Sequence, residues 1–231
     1  MTIKDGFNNG DPMYCYPNTM VLKNKWDIHD EDILEKIESQ AVALRIAEIF
    51  KNGIRGRFDF RHLKAIHGYL FQDAYIWAGK ERLVDVAKGH IFCPYQNIDD
   101  QAERIFNGLR DENYFLDYDF NKTMACLIKL FTEINALHPF REGNGRTQRE
   151  FTEELAKING ICLDLTKISK DEMIEASHRA LNNDYRMLTK LFLESAEEKP
   201  EKKEEWQNKY MEEMFYIRCH TKKKSRSDFF I

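Results

Sequence analysis

The chain predicts an all-α fold with one small β-hairpin, and three observations carry that prediction. Apolar residues recur at steps of three or four in segment after segment, the spacing of one buried helix face. Proline (5) and glycine (11) are sparse, which argues against a turn-rich β architecture. The helical period breaks clearly in one window, residues 77–94 (WAGKERLVDVAKGHIFCP). There Leu83, Val84 and Val86, then Ile91 and Phe92, flank Lys88-Gly89 as two short strands would flank a turn.

Taken in order, residues 11–24 (DPMYCYPNTMVLKN) read as an extended arm, with two prolines and alternating bulky side chains. From Asp30 a helix begins whose apolar stripe is Ile33, Ile37, Ala41, Leu44 and Ala47, and Gly53-Ile-Arg-Gly56 ends it. Residues 60–71 form the next helix, with Leu63, Ile66, His67 and Leu70 inward. After the hairpin, helices are predicted over 98–109 and, with Asp119 as N-cap, over 119–137, where Thr123, Leu127, Leu130, Phe131 and Ile134 line one side. That helix stops before Pro139, because the residue ahead of proline is pushed out of the α region. A new one starts near Gly145, turns Phe151, Leu155 and Ile158 inward, and ends at Asn159-Gly160. Two more follow at 170–181 and 184–195. Residues 197–205 are almost all Glu and Lys, a solvated linker or exposed helix that Trp206, Tyr210, Met214 and Phe215 could dock. The basic cluster at 222–226 reads as a solvated terminus. These shifts divide the chain into an N-terminal arm and helix (1–56), a core domain (57–196) and a charged tail (197–231).

Composition narrows the function classes. A chain of 231 residues with 42% hydrophobic content can bury a substantial core. Its net charge of −4 leaves no electrostatic footprint for direct nucleic-acid binding over the whole chain. No apolar run is long enough to span a bilayer, and residues 1–10 lack the apolar core of a signal peptide, so a cytoplasmic location is expected. The five cysteines have no paired metal-ligand spacing and read as reduced thiols.

The chemistry concentrates in His138–Glu150, HPFREGNGRTQRE. Glycines on both sides of Asn144 free the backbone and remove side chains that would block a ligand. Just ahead of a helix, the N–H groups of Gly143, Asn144 and Gly145 would form an anion nest at the positive end of the helix dipole. Arg146 and Arg149, three apart, share a helix face and present guanidinium forks suited to polyphosphate. Glu142 would repel phosphate unless a divalent cation stood between them, which points to Mg²⁺. His138, at the mouth of the loop, has the intrinsic pKa of a general base for an attacking hydroxyl. Phe140 would anchor the loop in the core. Singly, each has an ordinary explanation as cap, turn or solvated charge. Together they describe a nucleotide site with a base beside it.

The segment resembles the signature of the Fic (filamentation induced by cAMP) family, His-Pro-Phe-x-Asp/Glu-Gly-Asn-Gly-Arg-x-x-Arg, which His138 to Arg149 fill without departure. Residues 74–79 (AYIWAG) and 82–93 are similar to the family's hairpin flap. Residues 176–188 (ASHRALNNDYRML) resemble its downstream helix pair, and residues 11–22 the arm of stand-alone Fic toxins and type IV-secreted Fic effectors. The likeness spans roughly residues 11–196.

What the resemblance implies is transfer of AMP from ATP to a Ser, Thr or Tyr hydroxyl of a target protein, releasing pyrophosphate. His138 would be the base, Glu142 the Mg²⁺ ligand and Gly143–Gly145 the nest, with the Asn144 side chain helping orient phosphate. Arg146 would contact the β-phosphate and Arg149 the γ-phosphate. The related Doc kinases carry Lys where this chain has Gly145, which favours AMP over phosphoryl transfer. Lys88, Gly89 and Phe92 would face the target, which would add to the flap as a strand. Asn182 and Tyr185 (with Asn183 between them) would border the adenine. Self-inhibited relatives carry Ser/Thr-x-x-x-Glu; no Ser or Thr here has Glu four residues on. The resemblance therefore implies a toxin silenced by a separate small antitoxin, with type II topoisomerase subunits as targets by family analogy. The alternatives are a host-directed secreted effector and a transferase of another phosphate-bearing group.

Overall fold

The computed structural model describes residues 11–87 and 92–210. Among them are eight α-helices and one two-stranded antiparallel sheet: α1 (Glu31–Asn52), α2 (Phe60–Phe71), α3 (Ile98–Asp111), α4 (Phe120–Leu137), α5 (Asn144–Ile158), β1 (Ile161–Leu163), α6 (Lys170–Leu181), α7 (Arg186–Glu194), β2 (Ala196–Glu198) and α8 (Lys203–Tyr210). Helix α5 is the hub. It packs against α2, α4, α8 and β1, and Phe151, Leu155 and Ile158 are wholly buried there. Around it α3 lies on α4, and the α6–α7 pair also packs on α4.

Most helix boundaries follow local chemistry. Asp30, Asp59 and Asp119 each cap the following helix by accepting a main-chain N–H, from Ile33, His62 and Lys122. Ser169 and Glu172 close a capping box on α6. Helix α1 ends at Gly53, whose φ of 70° suits glycine, and a Cβ there would lie 2.5 Å from the Tyr210 ring. Tyr210 is 2% exposed, so α8 docks as its aromatic residues predicted. Met214, Phe215 and the 222–226 cluster lie outside the described residues.

The expected face of α1, the form of the charged tail and the start of α7 need correction. The expected apolar stripe of α1 faces outward: Ile33 is 49% exposed and Leu44 70%. Its buried face is turned by one residue, to Leu34, Glu38, Val42 and Ile49. Polar partners set that rotation, because Glu38 reaches Tyr75 and Arg146 while Arg45 pairs with Asp73. The two-stranded sheet lies elsewhere than the expected 77–94 hairpin, which falls partly outside the described residues. It pairs Ile161 with Glu198 and Leu163 with Ala196, so part of the charged tail, expected as linker or helix, is a strand. Within 77–94 the described residues form no named strand, Ala87 alone makes a bridge, and residues 88–91 lie outside the description. Helix α7 starts at Arg186, two residues later than expected. Among the described residues, no helix is long and apolar enough to cross a membrane.

Candidate active site

The loop between α4 and α5 reverses the chain through two left-handed residues. His138 caps α4 at φ 45°, ψ 59°, and Gly143 caps α5 at φ 80°. For a histidine this conformation is strained by on the order of 1–2 kcal/mol, so surrounding contacts must hold it. Arg82 supplies several. Its Nε donates to the His138 carbonyl at 2.8 Å, and its main-chain N–H to the Pro139 carbonyl at 2.9 Å. The same guanidinium donates to the carbonyls of Val84 (2.7 Å) and Cys93. A side chain that is only 1% exposed thus ties both ends of the 82–93 segment to the loop.

The His138 ring stacks on Phe92, centroids 3.6 Å apart and planes at 15°. Phe92 is 6% exposed, so the sequence-predicted flap residue and the predicted base meet directly. Lys88 and Gly89 lie outside the described residues.

Phe140 is buried as expected and stacks on His67 at 3.8 Å. His67 extends the anchorage. Gly79 N–H donates to its Nδ1 at 2.8 Å, so Nε2 carries the proton and donates to the Glu142 carbonyl at 3.0 Å. Burial pushes the His67 pKa down to about 4, which keeps the ring neutral in this role. Asn144 uses both polar atoms of its side chain on Phe140, accepting from its N–H at 2.9 Å and donating to its carbonyl at 2.8 Å. Gly143 is required twice over, since its φ is positive and a Cβ would meet the Phe71 ring at 2.2 Å. Gly145 differs: a Cβ there would meet nothing within 4 Å. Among the described residues, no atom from outside its own helix excludes a side chain at that position.

Beyond the turn, Arg146 and Arg149 line one cleft of about 280 Å³ with Glu150, Glu153, Lys170 and several apolar residues. Arg146 pairs with Glu38 at 2.6 Å, lies over the Phe71 ring at 4.6 Å, and approaches Glu142 at 3.7 Å. Arg149 forms no ion pair among the described residues, and burial pushes its pKa down. The Glu142 carboxylate accepts Gly143 N–H at 2.9 Å, and its side chain is 31% exposed. Among the described residues no three His, Cys, Asp or Glu side chains gather as a metal cage. An accessible carboxylate beside the main-chain N–H groups that open α5 suits Mg²⁺, which takes one or two carboxylates and completes its shell with other oxygens and water.

Asn182 and Tyr185 sit at the α6–α7 turn, where Asn182 donates to the His178 carbonyl and Tyr185 packs on the core. Among the described residues no hydrogen bond, ion pair or ring contact joins either of them to residues 138–149. Sequence reasoning missed Glu38, Tyr75 and Arg82, and placed His67 only as a core residue. A buried charge has no short-range signature, because its partners lie tens of residues away.

The Fic/DOC family model matches residues 57–156 of this chain. "Probable protein adenylyltransferase y4lH" of Sinorhizobium fredii is 36% identical over 176 residues, which cover 75% of this chain and 90% of that protein. "Probable protein adenylyltransferase Fic" of Escherichia coli is 33% identical over 192 residues, covering 82% and 94%. "Protein adenylyltransferase VbhT" of Bartonella schoenbuchensis is 41% identical over 170 residues, but the chain spans only 35% of its length. Among solved structures, the N-terminal Fic domain of a VirB-translocated Bep effector protein from Bartonella quintana, with bound ADP, superposes with a TM-score of 0.78. It is 27% identical and covers 82% of this chain and 96% of that one. With a helical core, an uninterrupted signature loop and relatives aligned over nearly their full length, the chain belongs to the Fic/DOC family.

Proposed function

We propose that this protein is a protein adenylyltransferase, moving AMP from ATP to a hydroxyl side chain of a target protein. The observation that carries the reading is the α4–α5 turn: a base candidate at one left-handed cap and a glycine-defined nest at the other, with two arginines beyond. His138, oriented by Arg82 and Phe92, takes the proton of the target hydroxyl. That oxygen bonds to the α-phosphorus as the bond to the bridging α–β oxygen breaks, and pyrophosphate leaves. Main-chain N–H groups at the start of α5 bind phosphate oxygens, Arg146 the β-phosphate and Arg149 the γ-phosphate. Glu142 would hold Mg²⁺, whose charge offsets that of the phosphates.

Glycine at position 145, where the related Doc kinases carry Lys, supports AMP transfer over phosphoryl transfer. The stacking of Phe92 on His138 supports target entry from the flap side. A groove of about 740 Å³ opens there between α3 and α4. Asn182 and Tyr185 are proposed at the adenine only from the resemblance.

The preferred setting is a bacterial toxin inhibited in trans by a small antitoxin. The lack of a Ser/Thr-x-x-x-Glu segment and of any ion pair to Arg149 among the described residues supports this. Type II topoisomerase subunits are the target class by family analogy. The fold match to a VirB-translocated effector favours a second setting, delivery into a host cell. A small neighbouring reading frame with the inhibitory motif would favour the first, and a secretion locus the second.

The test is to incubate wild type and His138→Ala with Mg²⁺, bacterial lysate and ATP labelled at the α or the γ position. Label from the α position should reach protein, none from the γ position, and the variant should transfer none. Equal labelling by both proteins, or transfer of γ label, would refute the reading.

A further inference from the structure

The buried face of α1 contains one carboxylate. Glu38 lies between Leu34 and Val42 on that face and is 6% exposed. An ionised carboxylate is costly to bury without partners. Two are present. Arg146 Nη1 sits 2.6 Å from one carboxylate oxygen, and the Tyr75 hydroxyl donates to the other. Burial and the adjacent Glu38 charge both push the Tyr75 pKa up, so the phenol stays protonated as a donor. On its far side the Arg146 guanidinium rests over Phe71, the ring that also excludes any side chain at Gly143. Carboxylate and ring therefore hold two sides of Arg146, the phenol braces the carboxylate, and the Arg146 Nη2 is directed toward Glu142, 3.7 Å away.

We infer that Glu38 is a positioning residue for nucleotide binding: with Tyr75 behind it, it sets the Arg146 fork so that the second Nη faces the β-phosphate. This rests on the proposed assignment of Arg146 to that phosphate. An arginine side chain carries considerable rotamer entropy, and one fixed before the ligand arrives loses less on binding. The opposite outcome is physically well defined too. A carboxylate at 2.6 Å could compete with phosphate for the guanidinium, and its removal would then strengthen binding. The sign of one measurement separates the two.

The measurement is the affinity of the full chain, with Mg²⁺, for AMP, ADP and a non-hydrolysable ATP analogue. The variants are Glu38→Gln, Glu38→Ala, Tyr75→Phe, Arg146→Ala and the Glu38→Ala/Arg146→Ala pair. AMP lacks the β-phosphate and reports general damage to the nest. In the Glu38 variants ADP and ATP-analogue affinity should fall about tenfold, and in Tyr75→Phe about threefold, with AMP affinity within about twofold of wild type. The double variant should be no weaker than Arg146→Ala alone, because Glu38 acts through Arg146. Should Glu38→Ala fail to fold by circular dichroism, Glu38→Gln and Tyr75→Phe still decide the matter. An unchanged or increased preference for ADP over AMP in the Glu38 variants, while Arg146→Ala loses it, overturns the positioning role. An unchanged preference in Arg146→Ala itself would refute the underlying phosphate assignment and the inference with it.

Discussion

The Arg82 guanidinium donates to the carbonyl oxygen of His138 at 2.8 Å, and so one buried cation holds the strained cap on which the proposed base sits. Its other donors go to the Val84 and Cys93 carbonyls. Arg82→Met would leave buried carbonyls unsatisfied, each at roughly 1–3 kcal/mol. Urea unfolding should show a loss of about 3 kcal/mol or more, and Arg82→Lys a smaller one. A methionine variant as stable as wild type would show that water replaces these bonds readily and that Arg82 is not the staple.

Gly143 and Gly145 flank the same asparagine but answer to different constraints. Gly143→Ala meets both a positive φ and the Phe71 ring, so it should destabilise by about 2–4 kcal/mol. Gly145→Ala projects into open space, so thermal unfolding should move by no more than about 0.5 kcal/mol equivalent. Nucleotide affinity measured by calorimetry should nevertheless drop for Gly145→Ala if phosphate passes there. Unchanged affinity would remove position 145 from the cradle.

Phe92 is the side chain stacked on the His138 ring. Phe92→Ala should lower kcat for AMP transfer by about tenfold, the scale of a lost aromatic contact, with ATP affinity unchanged. Steady-state kinetics with the ATP concentration varied would check this. A variant whose only defect is weaker ATP binding would place Phe92 at the nucleotide rather than at the base.

Stability should depend on pH in two opposed windows. Burial first, then neighbouring carboxylates, pushes Glu150 up to about 8; burial likewise pushes Glu153 up to about 7. Both keep protons in the folded state that the unfolded chain releases near 4.5, so their contribution is lost progressively as pH rises from about 4.5 to 7 and 8. His67, lowered from 6.5 to about 4 by burial, acts the other way, and its contribution is lost as pH falls through that range. The melting temperature should therefore rise on acidification from about pH 8.5, less steeply below about 6.5 where His67 offsets one of the two carboxyls, and turn over only near 4.5. Glu150→Gln should flatten the upper limb. A wild-type melting curve that is flat above pH 6.5 would show that these carboxyls ionise without penalty.

How legible the protein was in its sequence varied with the range of the interactions involved. Helices α2 and α6 have the bounds read from periodicity, because their caps and breakers are local. The signature loop was legible because residues 138–149 carry its glycines, carboxylate and cations in one run. Helix α1 was misread: an apolar period locates a stripe but does not say which flank faces the core, and Glu38 and Arg45 turned it by one residue. The β1–β2 pairing joins residues 33 to 37 apart and follows no pattern that a short window could reveal.

The helical class, the position of the turn and the chemical inventory of the proposed phosphate cradle were all readable without coordinates, since these depend on residue types at fixed short spacings. Only the tertiary structure decided what holds that inventory in place. Arg82 reaches His138 across 56 positions, His67 reaches Glu142 across 75, and Glu38 reaches Arg146 from another helix. Buried polar groups must find partners wherever the fold brings them, and that proximity is a property of packing.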